Sequence, residues 1–319
     1  MSEPSDRRRQ RFSGRQKFLL GVVAVALFGA GLYFGIQFAK PPPRPDFRSE
    51  EIFRDREPPA ERDRDAEAPG IDQPPLAPPP VELRRQPPPG RRGRPRIAII
   101  IDDLGRRVQD LDALERLGIP LTYSVLPYES RTPQVAAALR RRDAEFLCHL
   151  PMEAKGGASA GPGALMLSMT RDELVAATRR ALAAVPGAAG VNNHMGSAIS
   201  ADRRAITTVL EIIGEEGLYY IDSRTGIDTL GYSVARQLGI PAGERQVFLD
   251  AERDPEAIRL EFERLLAISA ERGGAIAIAH PFPETLEVLA AVLPAATAEG
   301  FEFVTAHALL ESSNLSGAG

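Results

Sequence analysis

A regular alternation of short apolar runs with helical segments after residue 96 constrains the fold more than any other feature of the chain. The first run, 97–101, is apolar at every position, which is typical of a strand buried on both faces of a parallel sheet. Repeated β–α units predict an α/β fold, either open and doubly wound or closed into a barrel. Seven or eight strands over roughly 215 residues favour a barrel or an incomplete one. Further apolar runs lie at 121–126, 145–149, 189–193, 218–221, 247–249, 275–279 and 301–304.

The intervals between these runs carry helix signals. Thr170 and Glu173 have the spacing of a capping box, so a helix should begin after Thr170. Another should begin after Asp254, with Pro255 in its first turn, and end at the glycine pair 273–274. The remaining helices are predicted at about 110–118, 132–142, 202–217 and 284–299.

Charge and composition exclude several classes of function. Residues 97–319 carry 20 basic and 30 acidic side chains, a net charge of −10. This argues against nucleic acid as a partner, because a phosphate polyanion needs a basic face. No glycine-rich phosphate loop follows the first strand, so nucleotide binding is disfavoured as well. Cys148 is the only cysteine, which excludes a disulfide framework, and we expect it to be a small buried residue.

The segment before the alternation predicts a membrane anchor. Residues 18–39 form an uncharged run of 22 residues, which as a helix would span roughly 33 Å, about the thickness of a bilayer core. Residues 1–17 carry six basic and two acidic groups. The positive-inside rule therefore predicts a basic tail in the cytoplasm, a single transmembrane helix in the inner membrane and a periplasmic globular domain. A cleaved signal peptide is the weaker alternative, because the run is long and no A-x-A-like site follows it.

The segment 40–96 predicts a disordered linker rich in proline, arginine and glutamate. It holds 16 of the 28 prolines together with 13 basic and 11 acidic residues. Such a composition cannot bury enough apolar surface to offset the entropy of ordering the chain, so we expect an extended spacer. The predicted globular domain is then 97–312, followed by a flexible tail at 313–319.

Histidines and carboxylates cluster where the predicted strands end. In parallel α/β folds the carboxyl ends of the strands meet on one face, where chemistry is placed. Imidazole and carboxylate are suitable ligands for a divalent metal such as Zn²⁺. His307 lies beyond the last strand, and we expect it to be structural. The residues at the predicted strand ends are Asp102, Asp103, His149, His194, Asp222, Asp250 and His280.

Each of these residues also has a structural interpretation. A histidine after a strand is usually a satisfied polar residue, and an aspartate there is often a helix cap. Glu153, four residues after His149, either reaches the same site or is a solvated loop carboxylate. Asn192 and Asn193 either orient a substrate or satisfy backbone groups. The concentration of such residues at one predicted face favours the functional interpretation, in which Asn193, Glu153 and Asp222 contact substrate.

Four motifs in order resemble the divergent polysaccharide deacetylase family. They occupy 99–105, 149–153, 192–197 and 278–281, and the resemblance covers about 97–312. The family is related to the metal-dependent polysaccharide deacetylases. The resemblance implies an irregular (β/α) barrel of about seven parallel strands. It also implies hydrolysis of acetyl groups on a cell-envelope polysaccharide or glycan.

The resemblance further implies roles for individual residues. The first aspartate of the pair, Asp102, corresponds to the general base and Asp103 to a metal ligand. His149 matches a ligand histidine, but Glu153 stands where the relatives have a second one, so we expect His194 to supply the missing nitrogen to a divalent ion, expected to be Zn²⁺. His280 matches the general acid of the relatives.

Two other functions remain open from the sequence. A catalytically weak envelope protein would use the same cleft only to bind glycan, and the altered motif at 149–153 motivates this alternative. A purely structural tethered domain would bind no metal. Release of acetate separates the enzyme from the glycan-binding protein, and the metal content of the purified domain separates both from the structural domain.

Overall fold

The computed structural model describes residues 93–316, with side-chain surroundings described through residue 311. The predicted basic tail 1–17, the transmembrane segment 18–39 and nearly all of the linker 40–96 lie outside this range. Within the range, every helix is too short or too polar to traverse a bilayer.

The described part of the chain contains nine strands, eight α-helices and one short 3-10 helix at Lys155–Gly157. The strands are β1 (Arg96–Leu104), β2 (Thr122–Val125), β3 (Phe146–Met152), β4 (Gly190–Met195), β5 (Tyr219–Asp222), β6 (Ala242–Glu244), β7 (Val247–Phe248), β8 (Gly274–Ala279) and β9 (Glu302–Val304). The helices are α1 (Gln109–Glu115), α2 (Thr132–Arg141), α3 (Arg171–Ala184), α4 (Arg203–Glu215), α5 (Gly231–Gln237), α6 (Pro255–Arg272), α7 (Pro283–Ala298) and α8 (Ala306–Ser316).

All strand pairs are parallel, and the sheet is a half-barrel. Eight strands follow one hydrogen-bonded path in the order β6-β5-β4-β3-β2-β1-β8-β7. The ninth, β9, pairs with Arg96–Ala98 at the beginning of β1. The prediction of a parallel barrel is therefore confirmed at the level of an α/β half-barrel, whereas about seven strands was too few. The strand β6 was missed because its three residues, Ala-Gly-Glu, carry no apolar run.

The core has two layers, one on each face of the sheet. Ile97, Ile99 and Ile101 of β1 pack among the helices, while Ala98 and Ile100 point into the barrel. All five are fully buried, which explains why the run shows no polar alternation. Burial of each large side chain contributes roughly 1.5–3 kcal/mol relative to exposure. The barrel interior is filled at its amino end by leucines of α8.

Several predicted helix ends are confirmed. The hydroxyl of Thr170 accepts a hydrogen bond from the backbone N–H of Glu173, whose carboxylate accepts one from the backbone N–H of Thr170. The Asp254 side chain accepts hydrogen bonds from two N–H groups in the first turn of α6. Gly273 ends α6 in the left-handed conformation, with φ of 84°.

Some predicted boundaries were wrong. The strands β3 and β4 continue past the histidines that were expected to follow them, because the two strands pair with each other as far as Met152 and Met195. His149 and His194 therefore lie within strands. The strand β1 begins at Arg96, one residue earlier than predicted, and α8 ends at Ser316.

Candidate functional site

Three predicted ligands meet at the carboxyl ends of β1, β3 and β4. Oδ1 of Asp103 lies 3.3 Å from Nε2 of His149 and 3.1 Å from Nδ1 of His194. The two imidazole nitrogens are 3.2 Å apart. Ligands held at 2.0–2.1 Å in a tetrahedron are separated by about 3.3 Å. This triangle of donor atoms therefore has the dimensions of three corners of a zinc site.

The carboxylate of Asp103 has features that fit a cation. Its Oδ1 atom is buried and accepts no hydrogen bond from any described residue, an arrangement that is costly unless a positive charge compensates it. Burial opposes the ionisation of Asp103, but its pairing with His149 and His194 outweighs burial and lowers its pKa. The backbone of Asp103 has a φ of 59°, an uncommon value for a residue other than glycine, and the β1–β2 register shifts at this point.

The orientation of His149 is set by Asn192, for which the sequence had suggested contact with a substrate or with backbone groups and not with a predicted metal ligand. The side-chain amide of Asn192 is fully buried and donates from Nδ2 to Oδ1 of Asp102 at 2.8 Å. Its Oδ1 therefore faces Nδ1 of His149 at 2.9 Å. Because an amide oxygen only accepts, Nδ1 of His149 carries the proton in the neutral ring, which leaves the Nε2 lone pair directed at the site.

Asp102, the predicted base, lies beside the predicted ligands rather than among them. It is 4% exposed, and its Oδ2 is 3.4 Å from Nε2 of His149. The charges of Asp102 and Asp103 raise the pKa of His149 against the opposing effect of burial. The half-buried guanidinium of Arg245 interacts electrostatically with Asp102, and its desolvation lowers the pKa of Arg245 to about 10.

The predicted acid, His280, lies next to the predicted metal ligand Asp103. Its Nε2 lies 3.7 Å from Oδ2 of Asp103. Its Nδ1 lies 3.0 Å from Oδ1 of Asp250, whose Oδ2 accepts from the His280 backbone N–H and the Thr285 hydroxyl. Burial opposes protonation of His280, but the hydrogen bond and charge of Asp250 dominate and raise its pKa to about 9. His280 also stacks on Phe282, with ring centroids 5.1 Å apart.

Asn193 and Asp222, which were predicted to contact substrate, are both buried and hydrogen-bonded within the protein. The amide of Asn193 is buried and hydrogen-bonded to Met195, Tyr220 and Ser223. The carboxylate of Asp222 is fully buried, and it accepts from the backbone N–H groups of residues 224 and 232 and from the hydroxyl of residue 229. Both side chains hold the turn after β5, and substrate contact by them stays a prediction.

Glu153 also binds the protein backbone. Its Oε2 accepts from the N–H of Leu167 at 2.6 Å, and its backbone pairs with Leu165. Through this hydrogen bond the carboxylate stabilises the loop after β3. Glu153 is absent from the cluster of candidate metal ligands formed by the described residues, in which His194 is the second histidine.

The remaining histidine and the cysteine lie elsewhere, as predicted. His307 stacks on Tyr219 at the amino end of the barrel, with ring centroids 5.5 Å apart. Cys148 is fully buried against the helix layer, where its thiol lies 3.7 Å from the carbonyl oxygen of Ala181. Burial raises the pKa of the Cys148 thiol to about 12, so the thiol is unreactive at neutral pH.

The sequence matches one protein family and is similar to two bacterial proteins. The model of a family described as divergent polysaccharide deacetylase matches residues 99–310. The uncharacterized protein YibQ of Escherichia coli K12 is 31% identical over 194 residues, which are 61% of this chain and 61% of that protein. An uncharacterized Haemophilus influenzae Rd protein is 28% identical over 198 residues, 62% of this chain and 71% of its own length. The chain thus spans about three fifths of the E. coli relative.

A solved structure has the same fold. The crystal structure of the uncharacterized protein ATU2773 from Agrobacterium tumefaciens C58 superimposes with a TM-score of 0.64. The two sequences are 26% identical, and the match covers 70% of this chain and 92% of the other. The similarity therefore extends over the whole half-barrel that carries the site.

Proposed function

The chain belongs to the divergent polysaccharide deacetylase family, and we propose that it removes acetyl groups from a polysaccharide or other glycan of the cell envelope. The observation that carries this proposal is the triangle of donor atoms from Asp103, His149 and His194, with sides of 3.1–3.3 Å. Two imidazole nitrogens and one carboxylate oxygen are a donor set that suits zinc and leaves a fourth position free.

The residues of the cluster would hold the ion, and their neighbours would move protons. A divalent ion held by Asp103, His149 and His194 would lower the pKa of a water molecule and polarise an acetyl carbonyl. Asp102 would accept the proton of the attacking water, since its carboxylate lies beside the cluster and is fixed by Asn192. Water adds to the acetyl carbonyl, the C–N or C–O bond to the sugar breaks, and acetate leaves.

His280 would supply the proton to the departing group. The hydrogen bond from Nδ1 to Asp250 directs Nε2 into the site. A pKa of about 9 keeps the imidazole protonated at neutral pH, as a general acid requires. The departing amine of an N-acetyl sugar or alkoxide of an O-acetyl ester would take this proton.

We further propose that the domain is tethered to the inner membrane. Residues 18–39 would anchor it, with the N-terminus in the cytoplasm, and residues 40–96 would hold it in the periplasm. The uncharged run with its basic flank supports this arrangement. Such a location would place the domain next to envelope glycans.

The test is acetate release by the full-length protein. N-acetylated and O-acetylated glycans are incubated with the protein in excess Zn²⁺, and the acetate set free is measured. We expect release by the wild type and loss of about 10²–10⁴-fold in Asp102→Asn, which cannot accept the proton. Glycan binding without any release of acetate would refute the enzymatic proposal and favour the glycan-binding alternative.

A further inference from the structure

We propose that a second recess, beside the candidate metal centre, binds a neutral sugar ring adjoining the acetylated one. This inference rests on the proposed function. The recess has a volume of about 150 Å³, well below the 300–1,000 Å³ of sites for drug-sized ligands, so it has room for a single ring. We name it the Tyr128 cleft. Its walls include Arg106, Pro127, Tyr128, Glu129, Pro162 and His194.

The Tyr128 cleft is continuous with the candidate metal centre. His194 belongs to both, and Pro151, its partner in the β3–β4 ladder, also lines the cleft. The other walls come from the loops that follow β1, β2 and β3. All of these loops leave the carboxyl ends of the strands. A chain of sugars with its acetyl group at the metal centre therefore passes into the cleft at His194.

The exposed aromatic ring is the first reason to assign a sugar to this cleft. Tyr128 is 38% exposed, and it is the only aromatic residue among the large apolar side chains that stand exposed in the described part of the chain. The apolar C–H face of a pyranose packs well on a flat ring, while the tyrosine hydroxyl can bond to a sugar hydroxyl. Two prolines, Pro127 and Pro162, also line the cleft and add apolar surface.

The charge balance of the Tyr128 cleft favours a neutral ligand. The guanidinium of Arg106 donates to Oε1 of Glu129 at 3.0 Å, so the two charges at the rim compensate each other. The pair therefore offers a charged ligand no uncompensated opposite charge. A sugar instead offers hydroxyls that can accept from Arg106 and donate to Glu129 without separating them.

The ring of Tyr128 is held in place before any ligand binds. Gly163, in the loop after β3, packs directly against the ring, and a Cβ at that position would overlap it. Gly163 has a φ of +72°, so both the space and the backbone conformation require glycine. A ring fixed in advance loses little freedom on binding, which favours affinity.

The test is the dependence of affinity on chain length. The full-length protein is titrated calorimetrically with N-acetylglucosamine and with its β-1,4-linked tetramer. We expect the wild type to bind the tetramer at least about tenfold more tightly than the monomer, and Tyr128→Ala to lose most of that gain. Tyr128→Phe should retain most of it, because the flat ring remains. Gly163→Ala should lose it, because the added methyl displaces the ring.

Two controls separate the Tyr128 cleft from general damage. Zn²⁺ affinity should stay within about twofold of wild type in Tyr128→Ala, since the metal centre is intact. Leu260→Ala, which alters an exposed apolar residue of α6 outside the cleft, should keep the full gain. The proposal is overturned if the wild type binds neither ligand, binds both equally, or if Tyr128→Ala keeps the gain.

The outcomes also separate this proposal from the proposed function. Suppose that the wild type releases acetate and that Tyr128→Ala keeps the full gain in affinity from monomer to tetramer. This result would refute sugar binding in the Tyr128 cleft and would leave the deacetylase proposal unaffected. A Tyr128-dependent gain in a protein that releases no acetate would support the cleft and overturn the deacetylase.

Discussion

The Nδ1 atom of His149 lies 2.9 Å from Oδ1 of Asn192, and this contact directs the opposite ring nitrogen at Asp103. The amide of Asn192 is held in turn by Asp102. A chain of hydrogen bonds therefore runs from the predicted base through a buried amide to a predicted metal ligand. The tautomer of His149 and the orientation of Asp102 are set by one side chain.

Replacing Asn192 should weaken metal binding. Asn192→Ala removes the acceptor for His149 Nδ1, so the ring can rotate or adopt the other tautomer, and we expect Zn²⁺ affinity to fall about 10–100-fold. Competition with a fluorescent chelator measures the affinity. Ser223→Ala, which removes only the long 3.4 Å contact to the same amide, should stay close to wild type. Wild-type affinity in Asn192→Ala would contradict this role.

Replacing His280 should slow turnover without releasing the metal. In His280→Ala the leaving group departs unprotonated, so kcat should fall about 10²–10⁴-fold. The alkaline limb of the pH–rate profile, where the wild type loses the acid, should disappear in the variant. Steady-state acetate release between pH 6 and 10 checks both. An alkaline limb that persists in His280→Ala would assign the acid to another group.

The metal-free protein should lose stability as the pH rises from about 6.5 to 9. The pKa of His280 is raised from 6.5 to about 9 in the folded chain, so its stabilising effect is complete below 6.5 and lost above 9. The loss attributable to His280 is at most roughly 3 kcal/mol. Urea unfolding across this range measures it, and His280→Gln should flatten the curve. A pH dependence in His280→Gln as steep as that of the wild type would contradict this prediction.

Asp222 should matter for stability and not for metal binding. Asp222→Ala leaves three partly buried donors without their buried acceptor, and we expect a loss of about 2–4 kcal/mol in the free energy of unfolding. Zn²⁺ affinity should remain within about twofold of wild type. Asp228→Ala, which removes an exposed ion pair with Lys155, should cost at most about 1 kcal/mol. A stable Asp222→Ala protein with impaired glycan binding would instead support the predicted substrate role.

The sequence predicted the class of fold because its signals are local. Apolar runs such as 97–101 and the capping box at Thr170 depend on neighbouring residues alone, and the structure confirms both. The strand β6 escaped prediction because pairing with β5, not its own composition, makes Ala242–Glu244 a strand. The ends of β3 and β4 were misplaced for the same reason.

The candidate site was predictable only in part. Residues at strand ends such as Asp103 and Asp222 look alike in sequence, yet one faces the cluster and the other faces a turn. Hydrogen bonds with the loop that follows each strand decide which way the aspartate side chain points. These bonds join residues that are not neighbours in the sequence. Asn192 was missed as a positioning residue because its importance comes from joining β1 and β3, which the sequence separates by dozens of residues.

Metal content tests the central claim most directly. The full-length protein, His280→Ala and Asp103→Ala are loaded with Zn²⁺, exchanged into metal-free buffer and measured by elemental analysis. We predict about one ion per chain in the wild type and in His280→Ala, and almost none in Asp103→Ala. Equal zinc in the wild type and Asp103→Ala would show that Asp103, His149 and His194 do not form the metal centre.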